Sequence, residues 1–128
     1  MESITMDKIE KVLLLVKRNV LKVLPNGEVW RNAMITRLGD EIPIVPQRAD
    51  CISSTGYSKV SFGRNSISAH RLVWIVFNGK IPNGMEINHK NGIKHDNHLT
   101  NLELVTRGGN IKHAYDRGLR KKLIGKNR

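Results

Sequence analysis

Four side chains in the second half of the chain combine a base with metal-ligand atoms. Asn88 stands directly before His89. Asn101 follows His89 by twelve residues, and Asn110 lies nine residues further along. A neutral imidazole, with a pKa of about 6.5 in water, can take a proton from water at physiological pH, and amide oxygens suit a hard cation such as Mg²⁺ or Mn²⁺. The set therefore predicts metal-assisted hydrolysis, with His89 as the base and with Asn88 and Asn110 as metal ligands.

The apolar pattern predicts the elements that must position these side chains. Four elements follow one another: a strand at 85–89, a polar loop at 90–100, a strand at 102–105 and a helix from 106 to about 116. The turn from strand to strand would bring Asn101 back beside the loop that follows His89. The helix would supply Asn110.

This order of residues resembles the HNH endonuclease family, in the His-Asn-Asn version common among phage and intron-associated nucleases. The resemblance runs from about residue 70 to residue 118, through segments that fall in family order: His70-Arg71-Leu72-Val73-Trp74, Ile81-Pro82-Asn83-Gly84, Ile87-Asn88-His89, Asp96-Asn97, Asn101-Leu102-Glu103, Val105-Thr106 and Asn110. Before Tyr57 the match is much looser. The resemblance implies an α+β fold in which small N-terminal β-hairpins precede a ββα-metal (His-Me finger) nuclease motif.

The resemblance also implies a role for each member of the set. His89 would activate water for attack on a DNA phosphodiester, and one divalent ion, Mg²⁺ or Mn²⁺, would be held by Asn88 and Asn110. Asn101 would position His89 through hydrogen bonds in the loop without touching the metal. The products would carry a 5′ phosphate and a 3′ hydroxyl, as expected of a nicking or homing-type enzyme.

Asn88 departs from the commonest family pattern, in which an Asp precedes the His. A neutral amide attracts a cation less than a carboxylate does. If Asn88 and Asn110 are the only protein ligands, the metal should bind in the millimolar range and bind more tightly when DNA is present. His113 is a candidate further ligand, because it lies three residues after Asn110 on one helical face. It could instead contact phosphate or be structural.

The charge of the chain favours a polyanionic partner. Twenty-two Lys and Arg residues face 11 Asp and Glu residues, giving a formal net charge of +11 and a pI near 10.2. Most of the excess falls in residues 107–128, although a basic tail of this kind could also serve only solubility. We expect double-stranded DNA to be contacted by seven basic residues: Arg71, Arg107, Lys112, Arg117, Arg120, Lys121 and Lys122.

The length of 128 residues allows one domain with one modest core. We divide it into an N-terminal hairpin and DNA-contact region at 1–68, a nuclease core at 69–118 and a basic tail at 119–128. The pattern before the core predicts five features: a helix at 7–17, a hairpin turning at 25–27, an irregular connection at 38–55, a hairpin turning at 63–65, and a helix at 69–78 that Ser68 could cap.

The single Cys51 excludes an internal disulfide and a cysteine-based zinc cluster. The longest apolar run near the start, residues 12–16, is far shorter than the roughly 20 residues of a membrane span. We therefore expect no membrane partner and a cytoplasmic location in a bacterial or phage-infected host cell. The sequence leaves open whether the chain is a monomer or a homodimer.

Two other functions fit part of the sequence. A DNA-binding module that retains the HNH fold but cleaves weakly, or not at all, would share the charge and the motif order. An RNA-binding or ribosome-associated basic protein would share only the charge. Metal-dependent cleavage that is lost in His89→Ala distinguishes the nuclease from both.

Overall fold

The structure is a computed structural model that describes residues 7–108. In chain order the described residues form these elements: α1 (Lys8–Lys17), β1 (Leu21–Val23), β2 (Val29–Ile35), β3 (Glu41–Arg48), β4 (Asp50–Ile52), β5 (Ser58–Phe62), β6 (Asn65–Ser68), α2 (Ala69–Asn78), β7 (Met85–His89), a 3-10 turn (Leu99–Asn101) and β8 (Leu102–Thr106). No helix within residues 7–108 is long and apolar enough to cross a membrane.

The strands form three small antiparallel sheets, ordered β1-β2-β3, β4-β5-β6 and β7-β8 in the described part of the chain. Helix α2 joins them, because it contacts β1, β5, β6 and β7. The predicted α+β architecture, with hairpins before the β7-β8 pair, is confirmed. Of the helix predicted from Thr106 onward, the structure describes only Arg107 and Gly108, which are helical, and Thr106 itself ends β8.

The N-terminal helix and the first hairpin form where the sequence predicts them. Asp7 caps α1 in a capping box: its side chain accepts from the Glu10 backbone N–H at 2.8 Å, and Glu10 accepts from the Asp7 backbone N–H at 3.1 Å. The β1-β2 turn closes through the Gly27 N–H, which donates to the Leu24 carbonyl at 2.9 Å. Gly27 adopts φ +93°, a conformation that glycine adopts most easily.

The prediction of an irregular connection at 38–55 is wrong, because this segment contains β3 and β4. Pro43 and Pro46 lie in β3, which is an edge strand of its sheet and pairs with β2 alone within that sheet. An edge strand tolerates proline, since one row of its backbone groups needs no partner strand. The two prolines that marked the segment as irregular therefore mark an exposed edge.

The core lies between α2 and the strands around it. Leu72 and Val73 of α2 are fully buried, and so is Val12 of α1. Helix α2 begins at the predicted residue, but the Ser68 side chain makes no capping hydrogen bond to it in the described structure. Ile87 of β7 and Leu102 of β8 extend the core into the last sheet. The strand pair that carries the candidate site therefore rests on the main core.

Candidate active site

His89 is the last residue of β7 and is only 6% exposed. Alternate residues of a strand point to the same face, and Ile87, two residues before His89, is buried as well. The His89 ring meets the His70 ring edge-on with centroids 4.8 Å apart, and the Tyr57 ring lies 6.1 Å away. The imidazole is thus held against α2 and the start of the second hairpin.

A hydrogen bond fixes the tautomer of His89. Its Nε2 lies 2.8 Å from Oδ1 of Asn97, and both side chains are buried. An amide oxygen can only accept, so Nε2 carries the proton in the neutral ring. Nδ1 is then the basic nitrogen that can accept a proton from water.

Asn101 organises the loop between the two strands. Its Nδ2 donates to the Asp96 carbonyl at 2.8 Å and to Oδ1 of Asn91 at 3.0 Å, and its Oδ1 accepts from the Asn91 backbone N–H at 3.1 Å. Its backbone carbonyl accepts from the Lys90 N–H at 2.8 Å. Asp96 directly precedes Asn97, so these bonds link Asn101 to the residue that holds His89.

Asn97 is the side chain in contact with His89 that the sequence pattern did not reveal. Residues Asp96 and Asn97 match the family order, but Asn is also a common turn former, and spacing alone does not distinguish a turn from a direct contact with His89. The structure shows Asn97 to be 3% exposed, which is unusual for an amide in a loop. Burial of a polar side chain against a histidine is visible only once the loop is folded.

Asn88 pairs with a carboxylate on the neighbouring strand. It lies opposite Glu103 in the antiparallel register, and its Nδ2 donates to Oε2 of Glu103 at 2.7 Å. Both side chains are half-buried. Within residues 7–108 no cluster of three or more His, Cys, Asp or Glu residues could hold a metal ion.

Burial keeps the two packed histidines neutral. Removal from water lowers the pKa of His89, and its hydrogen bond to Asn97 partly offsets this effect. Burial lowers the pKa of His70 to about 4, with smaller contributions from the nearby positive charge of His89 and Arg71. His70 Nδ1 is buried and has no hydrogen-bond partner among the described residues. Near neutral pH, His89 is therefore in the form that can act as a base.

The predicted site residues after residue 108 lie outside the described structure: Asn110, Lys112, His113, Arg117, Arg120, Lys121 and Lys122. His95 and His98 are exposed loop residues, and His98 Nδ1 lies 2.8 Å from Oδ1 of Asp96.

A groove of about 580 Å³ runs beside the site, between the start of α2, the second hairpin and β7. His70 and Tyr57, which both pack near His89, are among its lining residues. Its cationic side chains are Lys59, Arg71 and Arg107, and Arg107 faces Glu86 at 3.9 Å. Two of the seven predicted DNA-contact residues, Arg71 and Arg107, therefore lie on one groove.

Comparison with known proteins agrees with this geometry. Residues 68–111 match the sequence pattern of a family described as HNH endonuclease. A SPbeta prophage-derived protein of Bacillus subtilis (strain 168), YosQ, whose name assigns it to the HNH homing endonucleases, is 44% identical over 64 residues. An uncharacterised HNH endonuclease of Acanthamoeba polyphaga mimivirus is 41% identical over 71 residues.

These two matches each span 50% of this chain, but only 37% and 18% of the respective relatives, so the matched region is less than half of either. Among solved structures, the chain is similar to one described as DNA binding and cleavage by the HNH homing endonuclease I-HmuI. The identity is 27% and the TM-score 0.57, and the match covers 80% of this chain and 55% of that chain. The resemblance seen in the sequence is confirmed: the segment at 68–111, with the β7-β8 pair and His89, matches the HNH endonuclease family pattern, and the fold is similar to that of an HNH homing endonuclease.

Proposed function

We propose that this chain is a divalent-metal-dependent DNA endonuclease in which His89 is the general base. The observation that carries the proposal is the bond from His89 Nε2 to Asn97, which makes Nδ1 the basic nitrogen of a buried, neutral imidazole. A base of this kind can act near neutral pH, because burial lowers the pKa of His89. The structure described as DNA binding and cleavage by I-HmuI supports DNA as the substrate.

The donor atoms fit a hard divalent cation. Asn88 offers a carbonyl oxygen, since its amide nitrogen is engaged by Glu103, and the Glu103 carboxylate adds negative charge beside it. We assign Asn110 as the second ligand from its sequence position, with His113 as a further candidate. When held there, the ion would supply stabilisation of the charge that builds on the phosphate and on the leaving 3′ oxygen.

The chain's own residues carry the proton transfer. His89 Nδ1 takes a proton from water as the water oxygen bonds to phosphorus, and the bond from phosphorus to the 3′ oxygen then breaks. The departing 3′ oxygen takes a proton from solvent water, so the products are a 5′ phosphate and a 3′ hydroxyl. Asn97 holds the imidazole by Nε2 throughout, and Asn101 keeps the loop that carries Asn97 in shape.

The DNA backbone would lie along the groove beside His89. Lys59, Arg71 and Arg107 give this surface the positive charge that phosphates require. The predicted basic residues after residue 108 would add to it. One such site acts on one strand at a time, so a single copy would nick DNA.

Cleavage of supercoiled plasmid in Mg²⁺, Mn²⁺ or EDTA tests this proposal. His89→Ala protein, purified in the same way, serves as the blank. We expect nicked circles that require the metal and that the blank does not produce. Linear product from the start would instead indicate two sites acting together. Plasmid binding without product in any metal would contradict the nuclease and favour a DNA-binding module, for which the neutral Asn88 is the supporting feature.

A further inference from the structure

Glu103 contacts Asn88, the proposed metal ligand on the neighbouring strand. The two residues face each other across β7 and β8, and Asn88 Nδ2 donates to Oε2 of Glu103 at 2.7 Å. That distance is short, as expected for a hydrogen bond whose acceptor is charged. The two strands therefore hold the side chains together at the end of the pair that carries His89.

This bond determines the orientation of the Asn88 amide. A free asparagine can present either its nitrogen or its oxygen to a ligand, and only the oxygen can bind a cation. A carboxylate accepts hydrogen bonds but donates none, so it selects the amide nitrogen. With Nδ2 held by Glu103, Oδ1 of Asn88 points away from Glu103, and it is the atom of this side chain that can ligate a cation.

The same bond places a negative charge where the chain otherwise lacks one. Residue 88 is a neutral amide, which attracts a cation less than a carboxylate does. Glu103 supplies a carboxylate in direct contact with that neutral residue. An Asp at position 88 would instead meet the Glu103 carboxylate at hydrogen-bond distance, where two like charges repel.

We propose that Glu103 is a positioning residue of the cation site: it holds the amide nitrogen of Asn88, presents the carbonyl oxygen for ligation and provides the charge that Asn88 lacks. This assignment rests on the proposed metal-dependent function. It makes residues 88 and 103 a coupled pair, in which the carboxylate stands on the second strand instead of the first. Outer groups that orient a metal ligand typically change metal affinity by about 10-fold to 100-fold when they are replaced.

Mn²⁺ binding to the full chain, followed by electron paramagnetic resonance of the free ion, tests the pair without relying on cleavage. Glu103→Gln keeps the shape of the side chain and removes its charge, and we expect the Kd for Mn²⁺ to rise about 10-fold. Glu86→Gln is the matched control, because it also removes one carboxylate, from the face of β7 that carries Asn88. It should leave the Kd for Mn²⁺ close to that of wild type. The double variant Asn88→Asp with Glu103→Gln moves the carboxylate across the strand pair and should restore binding.

Thermal unfolding supplies a second measurement. Asn88→Asp alone should lower the Tm in EDTA, because it places two carboxylates against each other, and added Mn²⁺ should reverse most of that loss. A merely structural Glu103 would change the Tm and leave the Kd unaltered. An unchanged Kd in Glu103→Gln, or no restoration in the double variant, would overturn the assignment. Absence of Mn²⁺ binding by wild type, alone and with plasmid DNA, would contradict the metal-dependent function itself and, with it, the role of Glu103.

Discussion

As the proposed catalytic base, His89 must combine two properties that are usually in conflict. It is buried, which fixes its ring and keeps it neutral, yet one nitrogen must remain available to water. The bond to Asn97 meets both needs, because it engages Nε2 and assigns the basic role to Nδ1. The identity of residue 97 should therefore control the pH at which the proposed enzyme works.

Asn97→Asp should move the acidic limb of the pH–rate profile to higher pH. A carboxylate beside the ring stabilises the imidazolium, so the pKa of His89 rises, by about one unit or more for a close opposite charge. More of the base is then protonated at a given pH, and nicking is slower near pH 6 but recovers near pH 8. Asn83→Asp adds the same charge at an exposed turn and should leave the limb in place. A limb that does not move in Asn97→Asp would contradict His89 as the base.

The order of residues in the sequence was enough to propose Asn88, His89 and Asn101 as site residues, because few folds need these types at these intervals. It was not enough to find Asn97 or the role of Glu103. Each of those two acts through one hydrogen bond to a residue across a loop or a strand pair. Such a bond depends on register and burial, and neither has a signature in spacing.

The first hairpin and the β7-β8 strand pair are in direct contact. The turn of the β1-β2 hairpin abuts the site loop: Leu99 N–H donates to the Pro25 carbonyl at 2.8 Å, and a Cβ on Gly27 would lie 2.5 Å from the Asn97 backbone carbon. On the other side, the Lys94 ammonium lies 5.1 Å from the centroid of the Tyr57 ring. The hairpin predicted as a DNA-contact element thus also supports the loop that holds His89.

Gly27→Ala should displace Asn97 and weaken its hydrogen bond to His89. The control is Gly39→Ala, which has a similar φ of +91° but open space around the new methyl group. Both variants carry the backbone strain, on the order of 1 kcal/mol, and only Gly27→Ala adds the contact with Asn97. We expect the Tm of Gly27→Ala to be several degrees below that of Gly39→Ala. The nicking rate should also fall more in Gly27→Ala than in Gly39→Ala. Equal effects in the two variants would show that the turn does not support the site.

Sequence periodicity located the helices, the two tight hairpins and the β7-β8 pair, since each has a turn residue or an apolar stripe of its own. It failed at β3, where Pro43 and Pro46 suggested irregular structure. Proline is excluded from the middle of a sheet but not from its edge. Whether a strand lies at an edge is a property of the sheet, which local sequence does not encode.

The stability of the whole chain should fall between pH 6.5 and pH 4. His70 has its pKa lowered to about 4 in the fold, so the unfolded chain binds a proton in this range and the folded chain does not. The contribution of His70 to the free energy of unfolding is fully present above pH 6.5. It is lost as the pH falls to about 4, by an amount on the order of 3 kcal/mol. Urea unfolding at pH 7.5 and pH 4 measures it, and His70→Gln should flatten the difference. The same loss in His70→Gln would assign it to other groups.

The charge of the molecule should make DNA binding strongly dependent on salt. Each phosphate that the protein neutralises adds a slope of about −0.9 to log affinity against log salt. Replacing Lys59 or Arg71, which line the groove, with Ala should make the slope shallower by about 0.9 for each side chain that binds a phosphate. Arg64→Ala is the control, because Arg64 is an exposed residue of the β5-β6 turn and does not line the groove. Equal slopes in all three variants would place the DNA elsewhere.

The most direct test of His89 as the base is the nicking rate of plasmid bound in advance by excess protein, at saturating Mg²⁺, for wild type and His89→Ala. His98→Ala, an exposed histidine of the same loop, is the control. We expect His89→Ala to slow nicking by about 100-fold or more while plasmid affinity in EDTA stays at the wild-type value. Nicking by His89→Ala at a rate close to that of wild type would contradict the assignment of His89 as the catalytic base.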